Sequence, residues 1–204
     1  MKIFMHCFVI TSALLFASAV EAQQTVNGCL IKRRTSCPGA NLSGADLTKS
    51  NLSNADLSGT NLSGANLSAD KIAETNLTGA NLSGANLAGT ILTGTYLNNA
   101  NLSRANLEKA DLSQSNLPDA NLREARLEGA NLSMSNLKGA DLTGASAKGA
   151  VFIISSLINA NFTRVDLTEA TLVGADLRNT ILKGAKFCKT TMPDRSVNNS
   201  GCPK

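Results

Sequence analysis

The sequence predicts an all-β solenoid, a coil that turns at short fixed intervals, and three observations predict it. A leucine recurs every five residues, as in TNLSGANL at 60–67 and ANLSGANL at 80–87. The beat runs from Leu42 to Phe187 through thirty centres without an inserted or deleted residue, so no break divides the region into separate domains. Ala, Ser or Thr stands two residues before 28 of the centres, and Asn or Asp stands just before 20 of them, so every step has the same inside and outside. No ordinary element repeats every five residues. A helix at 3.6 residues per turn would sweep these leucines around its whole surface. A flat strand would send successive ones to opposite faces. A chain that buries them all must change direction once in each five.

The positions within a unit follow from that turn. The small residue and the leucine are two apart, so over three extended residues both point inward while Asn or Asp points outward. The remaining pair, often Ser-Gly, supplies the corner, where glycine tolerates backbone angles that other residues avoid. Each buried leucine contributes roughly 1.5–3 kcal/mol, largely offset by the entropy of ordering the chain. The narrow axis admits few aromatics, and the sequence has six Phe, one Tyr and no Trp. Departures at the centres are Ile72, Ala147, Phe152, Phe162 and Phe187; at the small inward position they are Asp70 and Val165.

The run A-[ND]-L-[ST]-G over residues 40–187 resembles the pentapeptide-repeat family. The resemblance implies a right-handed quadrilateral parallel β-helix with four pentapeptides to a coil and about 7.5 coils. At the ~4.8 Å spacing of adjacent strands the rod would be roughly 36 Å long. The expected layout is a cleaved signal peptide at 1–22, an N-terminal cap at 23–39, the β-helix at 40–189 and a C-terminal cap at 190–204.

Residues 1–22 lie outside the repeat. Lys2 precedes an apolar stretch at 3–16, and Val20 and Ala22 fit the small-residue pattern before a cleavage site. The stretch is short and interrupted by His6, Thr11 and Ser12, which favours a secretory leader over a retained anchor. Export to the periplasm or the extracellular space is expected, or to the thylakoid lumen in a cyanobacterium, with no stable membrane insertion after cleavage. The mature chain keeps Cys29, Cys37, Cys188 and Cys202. An even number in an exported chain suggests disulfides. In the implied rod, the first pair precedes the coils and the second follows them, separated by ~34 Å at strand spacing. A disulfide needs Cα atoms within about 7 Å, so Cys29–Cys37 and Cys188–Cys202 are the expected pairs. The tail resembles the C-terminal segment of exported and lumenal members of the family through Thr191, Met192, Pro193 and Asp194, with Arg195 where Gly is expected.

Little catalytic chemistry is present. The only histidine, His6, leaves with the leader, and the cysteine spacing suits no zinc site. No metal, cofactor or catalytic residue is expected. The glycines follow the five-residue beat and form no phosphate loop. Asp46, Asp56, Asp111, Asp141, Asp166 and Asp176 fall at outward positions and are expected to be solvated. Asp70 takes an inward position, where it is expected to distort one side locally and to pair with Lys71 or backbone amides. Lys32, Arg33 and Arg34 form a basic run in the N-terminal cap. Ten Asn-x-Ser/Thr sequons occur, nine of them produced by the repeat consensus, and in a bacterial chain they carry no separate meaning.

These features favour an exported, non-enzymatic scaffold that binds an unknown protein partner or itself. The alternative, borrowed from the family, is a DNA-mimicking protein that binds topoisomerases. Mimicry requires a strongly acidic surface. After Lys2 and Glu21 leave with the leader, 18 Lys plus Arg face 14 Asp plus Glu, a net charge of +4 that opposes it. Nucleic acid is also not expected as a partner, because no basic stripe with interleaved aromatics is present. With residues twenty apart stacked on one side, Met134, Val151, Ile153, Ile154 and Val173 gather into an apolar outward cluster. Exposed clusters of this kind mark interaction sites. The competing expectation is that Ala147, lacking a leucine side chain, lets this coil turn some of those aliphatics inward around Phe152.

Overall fold

A computed structural model describes residues 24–203. The proposed leader and its cleavage site lie outside these residues. A four-sided β-solenoid occupies most of the chain. Parallel bridges join each residue just before a centre to its counterpart twenty residues on, in an unbroken series from Ser36↔Asp56 to Thr171↔Thr191. One coil is therefore four pentapeptides. Side 1 carries Leu42 and the centres at twenty-residue intervals from it; sides 2, 3 and 4 carry Leu47, Leu52 and Leu57 and theirs. The ladder begins at Ser36, and Cys37 occupies the place of a centre, so regular coiling starts ahead of residue 40.

Three backbone hydrogen bonds per pentapeptide hold coil to coil. Leu62 N–H donates to Asn81 C=O at 2.7 Å, Gly64 N–H to Ser83 C=O at 2.9 Å, and Asn61 N–H to Ala40 C=O at 2.9 Å. A fourth closes the corner, from Ala65 N–H to Leu62 C=O at 3.0 Å. Each such corner places its second residue at positive φ, the pattern of a type II turn. All thirty corners from Gly44 to Lys189 do so, but only thirteen carry glycine. Glycine is thus frequent at the corner, as the sequence suggests, but the turn does not require it. Coil-to-coil bonding holds the turn geometry even where the residue disfavours it.

Centres from Leu42 to Leu172 are essentially inaccessible, and the small residues beside them fill the remaining axial space. Threonines at the small position direct their hydroxyls to core carbonyls, as Thr75 does to Leu52 C=O at 2.7 Å and Thr90 to Leu67 C=O at 2.8 Å. A polar hydrogen thereby enters the core with its partner supplied. The outward asparagines do more than face solvent. Asn61 Oδ1 accepts the Ser63 N–H, and Asn61 Nδ2 donates to Asn41 Oδ1 one coil below at 3.2 Å. On side 1 the chain of amides continues through Asn81, Asn101 and Asn121.

Asp70 differs from expectation. The ladder passes through its neighbours Asn51↔Lys71 and Lys71↔Ile91 without interruption, so the side is not distorted. Its carboxylate is buried and accepts the Ser50 hydroxyl at 2.5 Å and the Lys71 N–H at 2.8 Å. Ser50, the inward residue one coil earlier, provides the room and the donor. The Lys71 partner is the backbone amide, as anticipated, and burial pushes the Asp70 carboxyl above the usual carboxylate range.

Short antiparallel hairpins close the rod. β1 (Gln24–Val26) pairs with β2 (Cys29–Ile31), and Cys29 is joined to Cys37 with Cα atoms 5.7 Å apart. β3 (Thr190–Thr191) pairs with β4 (Val197–Asn198), and Cys188 is joined to Cys202 at 4.6 Å. The first hairpin also satisfies carbonyls of the lowest coil: Gln24 Nε2 donates to Asp46 C=O and Asn27 Nδ2 to Asn41 C=O.

Candidate interaction face

The sequence singled out Met134, Val151, Ile153, Ile154 and Val173, and the solenoid brings all five to side 3 and its following corner. Val151 immediately precedes the buried Phe152, and its bridges to Asn131 and Thr171 are intact. Ile153 and Ile154 form the corner after Phe152. Met134 occupies the same corner one coil below, and Val173 continues it one coil above. Met134 and Ile154 are exposed, while Val151, Ile153 and Val173 are half-buried. None has rotated into the core, so the inward alternative fails. Phe152 fills the axis itself, with its ring edge-to-face on Phe162 at 5.8 Å.

Ile154 is the informative member. Its φ is +56°, a left-handed conformation that a β-branched side chain disfavours. The cost is about 1–2 kcal/mol, yet the side chain is 64% exposed and gains little burial in return. The turn imposes this φ at every corner, but neither the core nor the turn calls for an exposed β-branched side chain there. Strain of this sort collects where a surface has another use. Sequence reasoning marked the residue for its apolarity but missed the strain, although an isoleucine in the glycine slot of the repeat was the available signal.

Electrostatics set side 3 apart. Seven ion pairs occur among the described residues, and none is on this side. Arg104–Glu124 and Arg123–Asp141 lie on side 1. On side 2 lie Arg126–Glu108, Lys189–Glu169, and Asp166 between Lys148 and Lys186. Arg178–Asp176 lies on side 4. At Asp141 and Asp166, burial opposes ionisation, but the hydroxyls and amides of Thr143 and Thr168, with Arg123 and the two lysines, hold both carboxyls below the usual range. Between Asp111 and Asp194, side 3 presents no charged residue. Ile91 and Tyr96 are exposed too, but Asp111 separates Ile91 from the cluster and Tyr96 lies on side 4. The basic residues Lys32, Arg33 and Arg34 are exposed in the N-terminal cap, where Arg34 N–H donates to Ser53 C=O at the foot of this side, at the far end of the rod from the cluster. Among the described residues, no group of His, Cys, Asp or Glu is placed to hold a metal ion, and no helix is long and apolar enough to cross a membrane.

A four-sided parallel β-solenoid with hairpin caps and a five-residue beat defines a class of protein, the pentapeptide-repeat proteins. The family model described as pentapeptide repeats matches in eight copies over residues 34–69, 75–117, 105–144, 120–153 and 148–184, and the chain belongs to that family. The chain is similar to several solved structures. QnrB1, a plasmid-mediated fluoroquinolone resistance protein, matches in a trypsin-treated form at 25% identity and TM-score 0.59, over 74% of this chain and 79% of that one. HetL, involved in heterocyst differentiation regulation in the cyanobacterium Nostoc, matches at 30% identity over 81% of this chain and 90% of its own, with TM-score 0.34. A pentapeptide repeat protein of the Arabidopsis thaliana thylakoid lumen matches at 30% identity over 50% and 70%, with TM-score 0.49. No curated protein matches the chain.

Proposed function

We propose that this chain is an exported, non-enzymatic scaffold of about 7.5 coils that presents side 3 to a protein partner. The observation that carries the proposal is Ile154, a strained and exposed aliphatic residue in the uncharged stretch of side 3 between Asp111 and Asp194. Val151, Ile153, Val173 and Met134 extend it into a patch along the rod axis. The leader at 1–22 supports export, and the disulfides at both ends suit an oxidising compartment. A net charge of +4 disfavours the DNA-mimicking alternative, so purified protein should leave DNA gyrase unaffected.

The test places a photo-cross-linking amino acid at position 154 and, in a control, at Ser103 on side 1. Capture of a discrete partner in the exporting compartment from position 154 alone, abolished by Ile153→Ser, supports the proposal. Equal capture from both positions refutes it. Mass spectrometry of the mature chain tests export separately, since retention of residues 1–22 would reject cleavage after Ala22.

A further inference from the structure

We propose that the C-terminal end of the rod is a docking edge for an extended, acidic strand of a partner protein. This surface is distinct from side 3 and stands whether or not side 3 binds anything. The two ends of the solenoid are not equivalent. At the N-terminal end, the β1–β2 hairpin covers the first coil, and Leu42, Leu47 and Leu52 are fully buried. At the C-terminal end, the chain leaves the coil after Pro193 and turns back. The turn is held by Arg195 N–H on Met192 C=O and Met192 N–H on Ser196 C=O. Over its described residues, the returning segment then closes over sides 2 and 3. β4 pairs with β3, the Lys189 N–H reaches Asn199 Oδ1, and the Gly201 N–H reaches Phe187 C=O.

Among the described residues, nothing covers sides 4 and 1 of the last coil, residues 175–184. Their lower edge is complete: Leu157 N–H donates to Asp176 C=O and Phe162 N–H to Ile181 C=O. Their upper edge repeats the same three groups per side that bind coil to coil elsewhere, and there they meet no partner among the described residues. These are the N–H groups of Leu177, Asn179, Leu182 and Gly184 and the C=O groups of Ala175 and Thr180. Leu177 and Leu182, equivalent to centres that are inaccessible in the coils below, are only partly buried. Ile181 beside them is 51% exposed. A row of unpaired backbone groups over apolar side chains is a template for an added strand.

The register defines the occupant. A strand running parallel to residues 175–184 would supply carbonyls to the four N–H groups and N–H groups to the two carbonyls. Apolar residues five apart would cover Leu177 and Leu182. Charge selects further. Residues 175–203 hold Arg178, Lys183, Lys186, Lys189 and Arg195 against Asp176 and Asp194. Asp176 already pairs with Arg178, whereas Lys183 and Arg195 make no ion pair among the described residues. A second copy docked end to end would set these cations against their own equivalents. A second copy docked head to tail would meet the closed N-terminal hairpin. An acidic strand from another protein meets neither obstacle.

The probe is a fluorescent decapeptide, two copies of Ala-Asp-Leu-Glu-Gly, titrated into the full mature chain. Saturable one-to-one binding is expected. Amide exchange at Leu177, Asn179, Leu182 and Gly184 should slow by about tenfold or more on saturation, as these groups gain partners. Lys183→Glu should weaken binding, and a peptide with Lys in place of all four acidic residues should bind about tenfold more weakly. Ile153→Ser with Ile154→Ser should leave peptide binding unchanged, which separates this edge from side 3. Absence of saturation by about 1 mM, the weak limit of specific association, would overturn the proposal. So would protection confined to other residues, or protection of these four amides that rises with protein concentration alone and identifies a second copy as the occupant.

Discussion

At position 154 the structure predicts an inverted order of stability between alanine and glycine. Within strands and helices, glycine is the weaker choice, because it has more freedom to lose on folding. Ile154 sits at φ +56°, where any β-carbon is strained. Ile154→Ala keeps that strain, about 1–2 kcal/mol, and loses the outer contacts of the isoleucine. Ile154→Gly loses the same contacts and removes the strain, against about 0.4–1 kcal/mol of extra unfolded-state entropy. The glycine variant should therefore be more stable than the alanine variant by about 0.5–1 kcal/mol, or roughly 1–4 °C in melting temperature for a chain of this size. Against the parent, the side chain is 64% exposed. About a third of a typical 1.5–3 kcal/mol burial term is forfeited, so Ile154→Gly should melt close to wild type. Differential scanning calorimetry under oxidising conditions measures all three. If the alanine variant is as stable as the glycine variant, or Ile154→Gly costs the 2–5 kcal/mol of a core truncation, the corner geometry and the exposure of this residue are both wrong.

Three further outcomes are expected. Asp70→Asn should raise the melting temperature near neutral pH and lose its advantage in acid. Burial raises the Asp70 carboxyl, so its contribution is fully present below the unfolded value near 3.9 and is lost as pH rises through the folded one; melting curves between pH 4 and 8 with a constant gap would contradict this. Replacing Cys188 and Cys202 by Ser opens a link across 14 residues, and should cost about 3 kcal/mol by equilibrium denaturation, with exchange accelerating first in the last coil; uniform acceleration along the rod would reject a local cap. Ala147→Leu restores the commonest residue of the repeat, yet should destabilise by about 1–3 kcal/mol through overpacking beside Phe152 and Phe162. Combination with Phe152→Leu should recover part of that loss, and strict additivity in denaturation would show that the sites do not share space.

The solenoid was legible because its period belongs to no other element, and because one small residue and one leucine per five fix the inside. What the five-residue beat could not show was how the outside is satisfied. The asparagine amides that bond Asn41, Asn61, Asn81, Asn101 and Asn121 into a column depend on a twenty-residue register, and sequence patterning alone made them only outward polar residues. Asp70 was legible as an anomaly, but its accommodation by Ser50 required knowing which inward residue lies beneath it. The members of the side 3 cluster were found from the same register. The strain at Ile154 is not legible in the sequence, because the repeat shows lysine, arginine, glutamate and methionine in the same slot as glycine without showing that all of them take positive φ there. The uncovered edge at 175–184 was beyond patterning altogether. Those pentapeptides resemble the rest, and only the path of the tail after Pro193 determines which sides it covers.

The core changes near residue 150 bear directly on why the outer aliphatics are there. Ala147 removes three heavy atoms from side 2 of its coil, and Phe152 adds bulk on side 3 of the same coil, with Phe162 following on side 1. All three are inaccessible, and the two rings meet edge to face. Volume lost at one centre is therefore recovered at its neighbours along the axis, as dense interior packing requires. Had the space beside Ala147 remained open, Val151 or Ile153 would have been its natural filling, and their apolarity would need no other cause. The coil instead retains its register, Ala147 is inaccessible, and Val151 still bridges Asn131 and Thr171. The aliphatics at 151, 153 and 154 then lie outside a core that is complete without them. Their composition answers to the surface, and the conformation of Ile154 is maintained there against its own backbone preference.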